Sequence, residues 1–248
     1  MPRLFYTLYC WLFFVPAFIA ITLLLAIPCL LLSLILPPGQ VARFTAVPWA
    51  RCALLLSGVR VELRGLQNLQ PGQSYVIVAN HLSQFDIFAL YGYLGVDFRW
   101  VMKQELRRVP VIGFCCELLG HVFIDRSNPA QAIASLNQAR AQLSNGTSIV
   151  FFPEGTRSRD GQLKPFKKGA FKMAQDLALP ILPVTLSGTD QVLPAGSLQL
   201  RPGHVAITLH PALPVQGHSE TELQQLMLAS RAAIAAPLPE GDCPQPSL

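Results

Sequence analysis

The chain has 248 residues and a formal net charge of +5, from 19 Lys or Arg and 14 Asp or Glu. Hydrophobic residues make up 51% of it and charged residues only 13%, about half the charged share of an average soluble protein. This length suits one α/β domain with a short extra segment, and this composition excludes a disordered chain. Six cysteines without a CxxC spacing argue against a zinc site or a disulfide framework and favour a reducing compartment.

The apolar excess is concentrated near the N-terminus, where residues 4–42 contain no Asp, Glu, Lys or Arg. As one helix, Leu4–Leu36 would be about 50 Å long, against a hydrocarbon core of roughly 30 Å. Pro16 and Pro28 favour kinks within this helix. Two arrangements fit: a strongly tilted span, or a re-entrant or interfacial helical pair completed by residues 40–57. We favour the helical pair.

Residues 1–57 are therefore predicted to be a helical segment that anchors the chain to a membrane. Arg3 precedes the apolar run, and Arg43 and Arg51 follow it. Because basic flanks tend to stay in the cytoplasm, we expect both ends of the segment on that side. The sequence thus predicts a protein of the inner (plasma) membrane whose remaining domain faces the cytoplasm.

Residues 58–236 alternate short β-rich runs with helix-length segments, which predicts an α/β fold with a mixed sheet covered by helices. The predicted strands are 59–64, 74–80, 98–103, 121–125, 148–152, 181–188 and 204–210. The predicted helices are 84–94, 110–120, 130–143, 171–177 and 219–235, the last one opened by a capping box from Ser219 to Glu222. Residues 237–248 contain four prolines and are expected to form a frayed tail.

A histidine and a carboxylate follow the second predicted strand. His81 lies between this strand and the next helix, and Asp86 comes one helical turn later. The carboxylate of Asp86 can bond one ring nitrogen of His81 and leave the other free to accept a proton. The alternative is that His81 caps the helix and Asp86 only favours its first turn. The spacing alone leaves both readings open.

A second polar segment, Phe151–Arg159, follows the strand predicted at 148–152. Its Pro and Gly residues predict a turn at the sheet edge where α/β proteins bind ligands. Arg157 offers two parallel donors that match a phosphate, and Thr156 adds a hydroxyl. A solvated charged turn is the alternative.

Basic residues form two further clusters, and several common motifs are absent. The clusters are Lys103, Arg107, Arg108 and Arg126, and Lys164, Lys167, Lys168 and Lys172. A solvated face explains the second cluster as well as substrate contact does, and no nucleic-acid-binding motif accompanies it, so we expect no nucleic acid partner. The sequence lacks G-x-S-x-G, P-loop and G-x-G-x-x-G motifs, which argues against a serine esterase, an NTPase and a dinucleotide enzyme.

Four segments occur in a characteristic order: Asn80-His81 with Asp86, Gly120–Arg126, Phe152–Ser158 and Ile181–Val184. Together they resemble the 1-acylglycerol-3-phosphate acyltransferase family of membrane glycerolipid acyltransferases. The resemblance implies the following roles in this chain: His81 as the base with Asp86 as its partner, Arg126 and Arg157 on the acceptor phosphate, and Glu154 and Gly155 shaping the glycerol end. Lys103 looks like the family's basic residue ahead of the second segment, and Thr156 belongs to the substrate-binding third segment.

The resemblance implies direct acyl transfer to a lysophosphatidic acid, with phosphatidic acid as the product for phospholipid biosynthesis. His81 would deprotonate the sn-2 hydroxyl, which would attack the thioester of acyl-CoA or of acyl carrier protein. We expect no acyl-enzyme, since no activated Ser or Cys nucleophile is evident, and no metal or cofactor. Two alternatives stay open. One is another acceptor, such as a lyso-ornithine lipid or a lysophospholipid, and the other is a non-catalytic lipid-binding accessory protein.

Overall fold

The computed structural model describes residues 2–125 and 146–236, together with Ser135 and Leu143. The predicted helix at 130–143, apart from these two positions, and the predicted tail at 237–248 lie outside the described residues. Arg126, assigned above to the acceptor phosphate, lies outside them as well.

The N-terminal part of the chain is helical. Its elements are α1 (Pro2–Tyr9), a π-helical turn (Cys10–Phe14), α2 (Val15–Ser33), α3 (Pro38–Phe44) and α4 (Ala46–Leu56). The first three follow one another directly, and Pro28 lies inside α2 without ending it. Phe5–Ser33 is a 29-residue helix that is long and apolar enough to cross a membrane.

The centre of the described structure is a sheet of seven strands. They are β1 (Val59–Arg64), β2 (Val76–Ala79), β3 (Phe98–Lys103), β4 (Val122–Ile124), β5 (Ser148–Phe151), β6 (Ile181–Ser187) and β7 (Gly203–Leu209). Their order is β1-β7-β6-β2-β5-β3-β4. Neighbours are parallel except for β6 and β7, which are antiparallel. The predicted mixed sheet is therefore confirmed.

Helices cover this sheet. They are α5 (Phe85–Tyr93), α6 (Ile112–Leu118), α7 (Gly169–Leu177), α8 (Thr189–Val192) and α9 (Glu220–Ala235), with 3-10 turns at Leu66–Asn68 and Gln104–Arg108. The predicted capping box is present, since Ser219 and Glu222 exchange side-chain to backbone hydrogen bonds at the start of α9. The short α8 and both 3-10 turns were not predicted.

Two apolar clusters contain alternate residues of the central strands. Ile77 and Ala79 belong to one cluster, together with residues of α4 and α5. Val76 and Val78 belong to the other, together with residues of α7 and α9. Because successive side chains of a strand point to opposite faces, this alternation shows that both faces of β2 are covered.

The N-terminal helices fold back on one another and pack against the domain. Trp49 Nε1 of α4 donates a hydrogen bond of 2.9 Å to Thr22 Oγ1 of α2. At the other end of α4, the Tyr6 hydroxyl donates to the Ser57 carbonyl oxygen at 2.7 Å. The two helical limbs therefore pack against each other, with the second limb divided at Thr45, and their re-entrant or interfacial position in a membrane stays a prediction. The domain boundary at residue 57 stays a prediction.

Five adjacent strands, β6, β2, β5, β3 and β4, run in the same direction. Their carboxyl ends therefore meet at one edge of the sheet. The turns after β2 and β5, the end of β3 and the start of α8 all lie along this edge, which is where α/β sheets bind ligands.

Candidate active site

His81 and Asp86 form a hydrogen-bonded pair in the turn between β2 and α5. His81 Nδ1 lies 2.7 Å from Asp86 Oδ2, and the side-chain exposures are 16% and 0%. Because a carboxylate accepts hydrogen bonds, this contact favours the tautomer that donates through Nδ1, and in that tautomer the lone pair is on Nε2. The arrangement can therefore take a proton from a hydroxyl placed at Nε2.

The carboxylate of Asp86 also organises the turn itself. The backbone N–H groups of Leu82 and Ser83 donate to Asp86 Oδ2 at 2.7 and 2.8 Å. Asp86 therefore also stabilises the start of α5, which was the alternative role considered for it, and it does so while contacting His81. One carboxylate shapes the turn and orients the imidazole.

Aromatic rings stacked on one face of the His81 imidazole restrict its orientation. The Phe152 ring stacks on His81 with centroids 3.9 Å apart and an angle of 10° between planes. Trp100 stacks in turn on Phe152, with centroids 5.5 Å apart. The His81 ring is therefore held by a hydrogen bond at Nδ1 and by apolar contact on one face.

Glu154 ties the third segment to the turn that carries His81. Its Oε1 accepts a hydrogen bond from His81 N at 2.7 Å, and its Oε2 accepts one from Lys164 N at 3.0 Å. Burial raises the pKa of Glu154, while these two N–H groups act in the opposite direction. Both oxygens are engaged by backbone, so the observed contacts of Glu154 brace the site. A role at the glycerol end of a substrate stays a prediction.

The turn after Glu154 presents the other polar residues of the third segment. Gly155 has φ of +74°, a conformation that a side chain would strain. Thr156 and Arg157 follow it and are exposed at the sheet edge. Lys164 Nζ donates to the Arg157 carbonyl oxygen at 2.8 Å, which places one lysine of the second basic cluster beside this turn.

The first basic cluster is only partly at the site. Lys103 ends β3 at the same sheet edge and is exposed. Arg107 instead forms an ion pair with Glu117 at 2.6 Å and lies over the ring of Phe123. Arg126 follows β4 by two residues in sequence, and it is outside the described part of the chain.

Three contacts at the site were not predicted from the sequence. Thr189 Oγ1 donates to Asp86 Oδ1. Ser83 Oγ donates to the Leu193 carbonyl oxygen at 2.6 Å. The Asn80 side chain exchanges two hydrogen bonds with the backbone of Leu186 on β6, at 2.8 and 2.7 Å. The available signal was that Thr189 follows an apolar strand, as His81 does.

A second histidine, His121, is buried away from solvent. Its Nδ1 accepts a hydrogen bond from Trp100 N at 3.3 Å, and its Nε2 contacts the Tyr91 hydroxyl. Burial, and then the nearby charge of Arg99, lower the pKa of His121 to about 3. This residue links α5, β3 and the start of β4. Within the described residues, no group of three or more His, Cys, Asp and Glu side chains has a metal-binding arrangement.

Comparison with known proteins identifies the family. A family model described as Acyltransferase matches residues 60–187, which include His81, Asp86 and Arg157. This chain belongs to the acyltransferase family. The family and the enzyme class predicted from the sequence are therefore confirmed.

Several relatives of this chain are named for the substrate on which they act. A Chlamydomonas reinhardtii protein named 1-acyl-sn-glycerol-3-phosphate acyltransferase is 36% identical over 233 residues, which cover 90% of this chain and 68% of that protein. A Pseudomonas aeruginosa protein named 1-acyl-sn-glycerol-3-phosphate acyltransferase is 32% identical over 211 residues, covering 83% and 81%. Two chloroplast relatives are longer, and the match spans about half of their length.

The fold of this acyltransferase has a close counterpart among solved structures. The crystal structure of the 1-acyl-sn-glycerophosphate acyltransferase PlsC from Thermotoga maritima superimposes with a TM-score of 0.75 at 27% identity. The superposition covers 94% of this chain and 95% of that one, so it extends into the N-terminal helical part. The predicted fold class is confirmed over both parts of the chain.

Proposed function

We propose that this acyltransferase transfers an acyl group from a thioester donor to the sn-2 hydroxyl of 1-acylglycerol-3-phosphate, giving phosphatidic acid for phospholipid biosynthesis. The observation that carries the proposal is the 2.7 Å contact between His81 Nδ1 and Asp86 Oδ2, at the sheet edge that also presents Arg157. The names of the relatives from Chlamydomonas and Pseudomonas support this choice of acceptor.

In the proposed reaction, His81 Nε2 takes the proton of the sn-2 hydroxyl as its oxygen attacks the thioester carbonyl. The tetrahedral intermediate then expels the thiolate, which takes the proton back from the imidazolium, so no acyl-enzyme forms. General-base help of this kind contributes roughly 10² to 10⁴ in rate. Asp86 supports the imidazolium because its carboxylate lies against Nδ1.

Oxyanion donors are assigned to the turn at 154–157 in this proposal. The N–H group of His81 is already donated to Glu154, and those of Leu82 and Ser83 are donated to Asp86. Donors that are already bonded to carboxylates are poorly placed to meet new negative charge. This supports the turn at 154–157 as the source, apart from Gly155, whose N–H is donated to the Phe152 carbonyl oxygen at 2.9 Å.

The acceptor phosphate is assigned to the basic residues of the same edge. Arg157 provides a bidentate contact, Thr156 a hydroxyl, and Lys103 a further positive charge, with Arg126 proposed from the sequence resemblance alone. Phosphate binding there would hold the glycerol in place for attack and reduce the entropic cost of the reaction. The donor is an acyl-CoA or acyl carrier protein thioester, and we propose no cofactor.

The enzyme is proposed to lie in the inner (plasma) membrane with the catalytic domain on the cytoplasmic side. The long N-terminal helix contacts the rest of the chain at Tyr6, near Ser57, and again at Phe18, whose ring lies 5.5 Å from that of Phe88. Further along, Cys29 shares a buried cluster with Leu119. A helix packed lengthwise in this way supports an interfacial position, because a perpendicular crossing would draw the domain into the bilayer.

The test is an acyl-transfer assay with the purified full-length protein in detergent. The acceptors are lysophosphatidic acid, monoacylglycerol, lysophosphatidylcholine and a lyso-ornithine lipid, each offered with acyl-CoA and with acyl carrier protein thioester. We expect phosphatidic acid as the main product. Preferential acylation of another lysolipid would overturn the proposed acceptor. Lipid binding without turnover on any pair would instead support an accessory protein.

A further inference from the structure

The carboxylate of Asp86 is buried from solvent and accepts hydrogen bonds from four donors. Its Oδ2 accepts from His81 Nδ1 and from the N–H groups of Leu82 and Ser83. Its Oδ1 accepts from the hydroxyl of Thr189, and both Asp86 and Thr189 are 0% exposed. An ionised carboxylate without solvent depends on such donors to keep its charge and orientation.

Thr189 reaches Asp86 because of the way that β6 ends. β6 runs parallel to β2, so Thr189 comes to the same sheet edge as the turn after β2. Gly188 makes the connection with φ of +83°, and an added Cβ would lie 2.2 Å from the His204 carbonyl oxygen. Only glycine fits this turn, which therefore fixes where Thr189 begins α8.

A second contact holds α8 against the turn that carries His81 and Asp86. Ser83 Oγ donates to the Leu193 carbonyl oxygen, just after the end of α8, at 2.6 Å. Val192, the last residue of α8, is fully buried. Thr189 therefore belongs to a short helix whose start is fixed by the turn at Gly188 and whose end is held by Ser83.

We propose that Thr189 is a positioning residue for acyl transfer: its hydroxyl fixes the Asp86 carboxylate and, through it, the imidazole of His81. The inference rests on the proposed function, because it assigns His81 as the base. Thr189 lies two residues beyond the segment matched by the family model. It is buried and separated from the ring by Asp86, so it acts through Asp86 and does not touch substrate.

Loss of the hydroxyl would leave Oδ1 of Asp86 without its donor and allow the carboxylate to rotate away from Nδ1. The imidazole would then spend less time with its proton on Nδ1 and its lone pair on Nε2. Substrate contacts would be unchanged, so the effect falls on kcat and leaves KM as it was.

The variants are Thr189→Val, which removes the hydroxyl at similar volume, and Thr189→Ser, which keeps it. We expect Thr189→Val to lower kcat about 10- to 100-fold with little change in either KM, the range for losing a hydrogen bond to a charged group. Thr189→Ser should stay within about threefold of the wild type.

A matched control separates this role from a loss of packing. Thr185 lies on β6, and its Oγ1 bonds His210 Nε2 at 2.7 Å and the Ile234 carbonyl oxygen at 3.0 Å. Thr185→Val should lower the Tm and leave kcat within about twofold. If Thr189→Val behaves like this control, or if Thr189→Ser fails to restore kcat, the positioning role is wrong.

A second readout does not depend on turnover. Nitrogen NMR of the enzyme labelled at histidine reports which ring nitrogen of His81 carries the proton. We expect the Nδ1–H form in the wild type and in Thr185→Val, and a mixture of forms in Thr189→Val. An unchanged His81 signal in folded Thr189→Val would overturn the inference. An inactive wild type with the expected NMR pattern would overturn the proposed function and leave the positioning contact supported.

Discussion

The two ring nitrogens of His81 have different surroundings, and this difference suits the proposed role of the residue as a general base. Nδ1 faces the buried Asp86 carboxylate, while the side chain as a whole keeps 16% of its surface exposed. Phe152 covers one face of the ring. The residue is thus held rigidly on one side and open on the other, which is what a general base needs.

The first prediction is that His81→Ala lowers kcat by at least about 10³, because it removes both the base and its orientation. Asp86→Asn should have a similar or milder effect, since it keeps the shape but removes the charge that supports the imidazolium. Product formation from lysophosphatidic acid is measured in detergent, and circular dichroism checks the fold. A His81→Ala enzyme that keeps more than about a tenth of the activity would contradict the assignment.

The second prediction concerns the contact between Arg157 and the acceptor phosphate. Arg157→Ala should lower kcat/KM for lysophosphatidic acid about 10- to 100-fold, because a charge-assisted bidentate contact is lost. Activity on monoacylglycerol should change little. Arg157→Lys should restore the activity only in part, since an ammonium cannot form the paired contact. The measurement compares kcat/KM for the two acceptors.

The control for this prediction is Arg60→Ala. Arg60 is an exposed arginine on β1, the strand at the opposite end of the sheet order from β4. Its removal changes the net charge equally and should leave both acceptors unaffected. Equal losses on phosphorylated and unphosphorylated acceptors in Arg157→Ala would argue against a phosphate contact.

The sequence predicted the members of the site that are close together along the chain. The five-residue spacing of His81 and Asp86 places both in one turn, and their contact is present. The bracing role of Glu154 and the contact of Thr189 were not predicted, because each joins residues 73 or 103 positions apart. Such contacts depend on the strand order, which local patterns do not contain.

Apolar runs bounded by Gly, Pro or polar residues predicted the positions of the strands well. The strands at 59–64 and 98–103 have the predicted limits, and the other five differ by no more than two residues at an end. The helix Thr189–Val192 was missed because its four residues are too few to show a helical period. The neighbours of each strand could not be derived, since pairing between distant segments leaves no local signal.

His121 connects three elements, and its low pKa predicts that their packing depends on pH. Its pKa is about 3 in the folded chain, against 6.5 for an exposed histidine. Between these values the unfolded chain binds more protons than the folded chain. The contribution of the buried, neutral His121 to the free energy of unfolding is therefore fully present above about pH 6.5 and is lost as the pH falls towards 3. From pH 7 to pH 5 the expected loss from this residue is about 2 kcal/mol.

This pH dependence is tested by urea unfolding at pH 7 and pH 5 in the same detergent. His121→Asn keeps an acceptor for the Trp100 N–H but does not titrate in this range. It should therefore lose less stability than the wild type on acidification, by about 2 kcal/mol. His204→Asn is the control, because it replaces a histidine whose side chain is 60% exposed and keeps the buried His121, so the loss attributed to His121 should persist in it. Equal losses in His121→Asn and the wild type would contradict the prediction.

The apolar N-terminal helix packs against the α/β domain, and the two share a buried core. Cys10 and Phe14 belong to the same buried cluster as strand residues such as Ile77 and Leu182. The other side of this helix exposes large apolar side chains, including Phe13, which is 64% exposed. One side of the helix thus packs on protein, and the other is suited to lipid.

The last prediction is that both ends of the long apolar N-terminal helix, Phe5–Ser33, are accessible from the cytoplasm, as an interfacial position requires. Single cysteines are placed before Met1 and at Gln40→Cys in an otherwise cysteine-free chain that retains activity. Lys172→Cys, on the exposed side of α7, marks the face of the catalytic domain. A membrane-impermeant maleimide should label all three sites in inside-out vesicles and none in sealed right-side-out vesicles. Labelling of the first site only from the opposite face would establish a true span, and because the contact between His81 and Asp86 lies within the domain, the proposed chemistry would still stand.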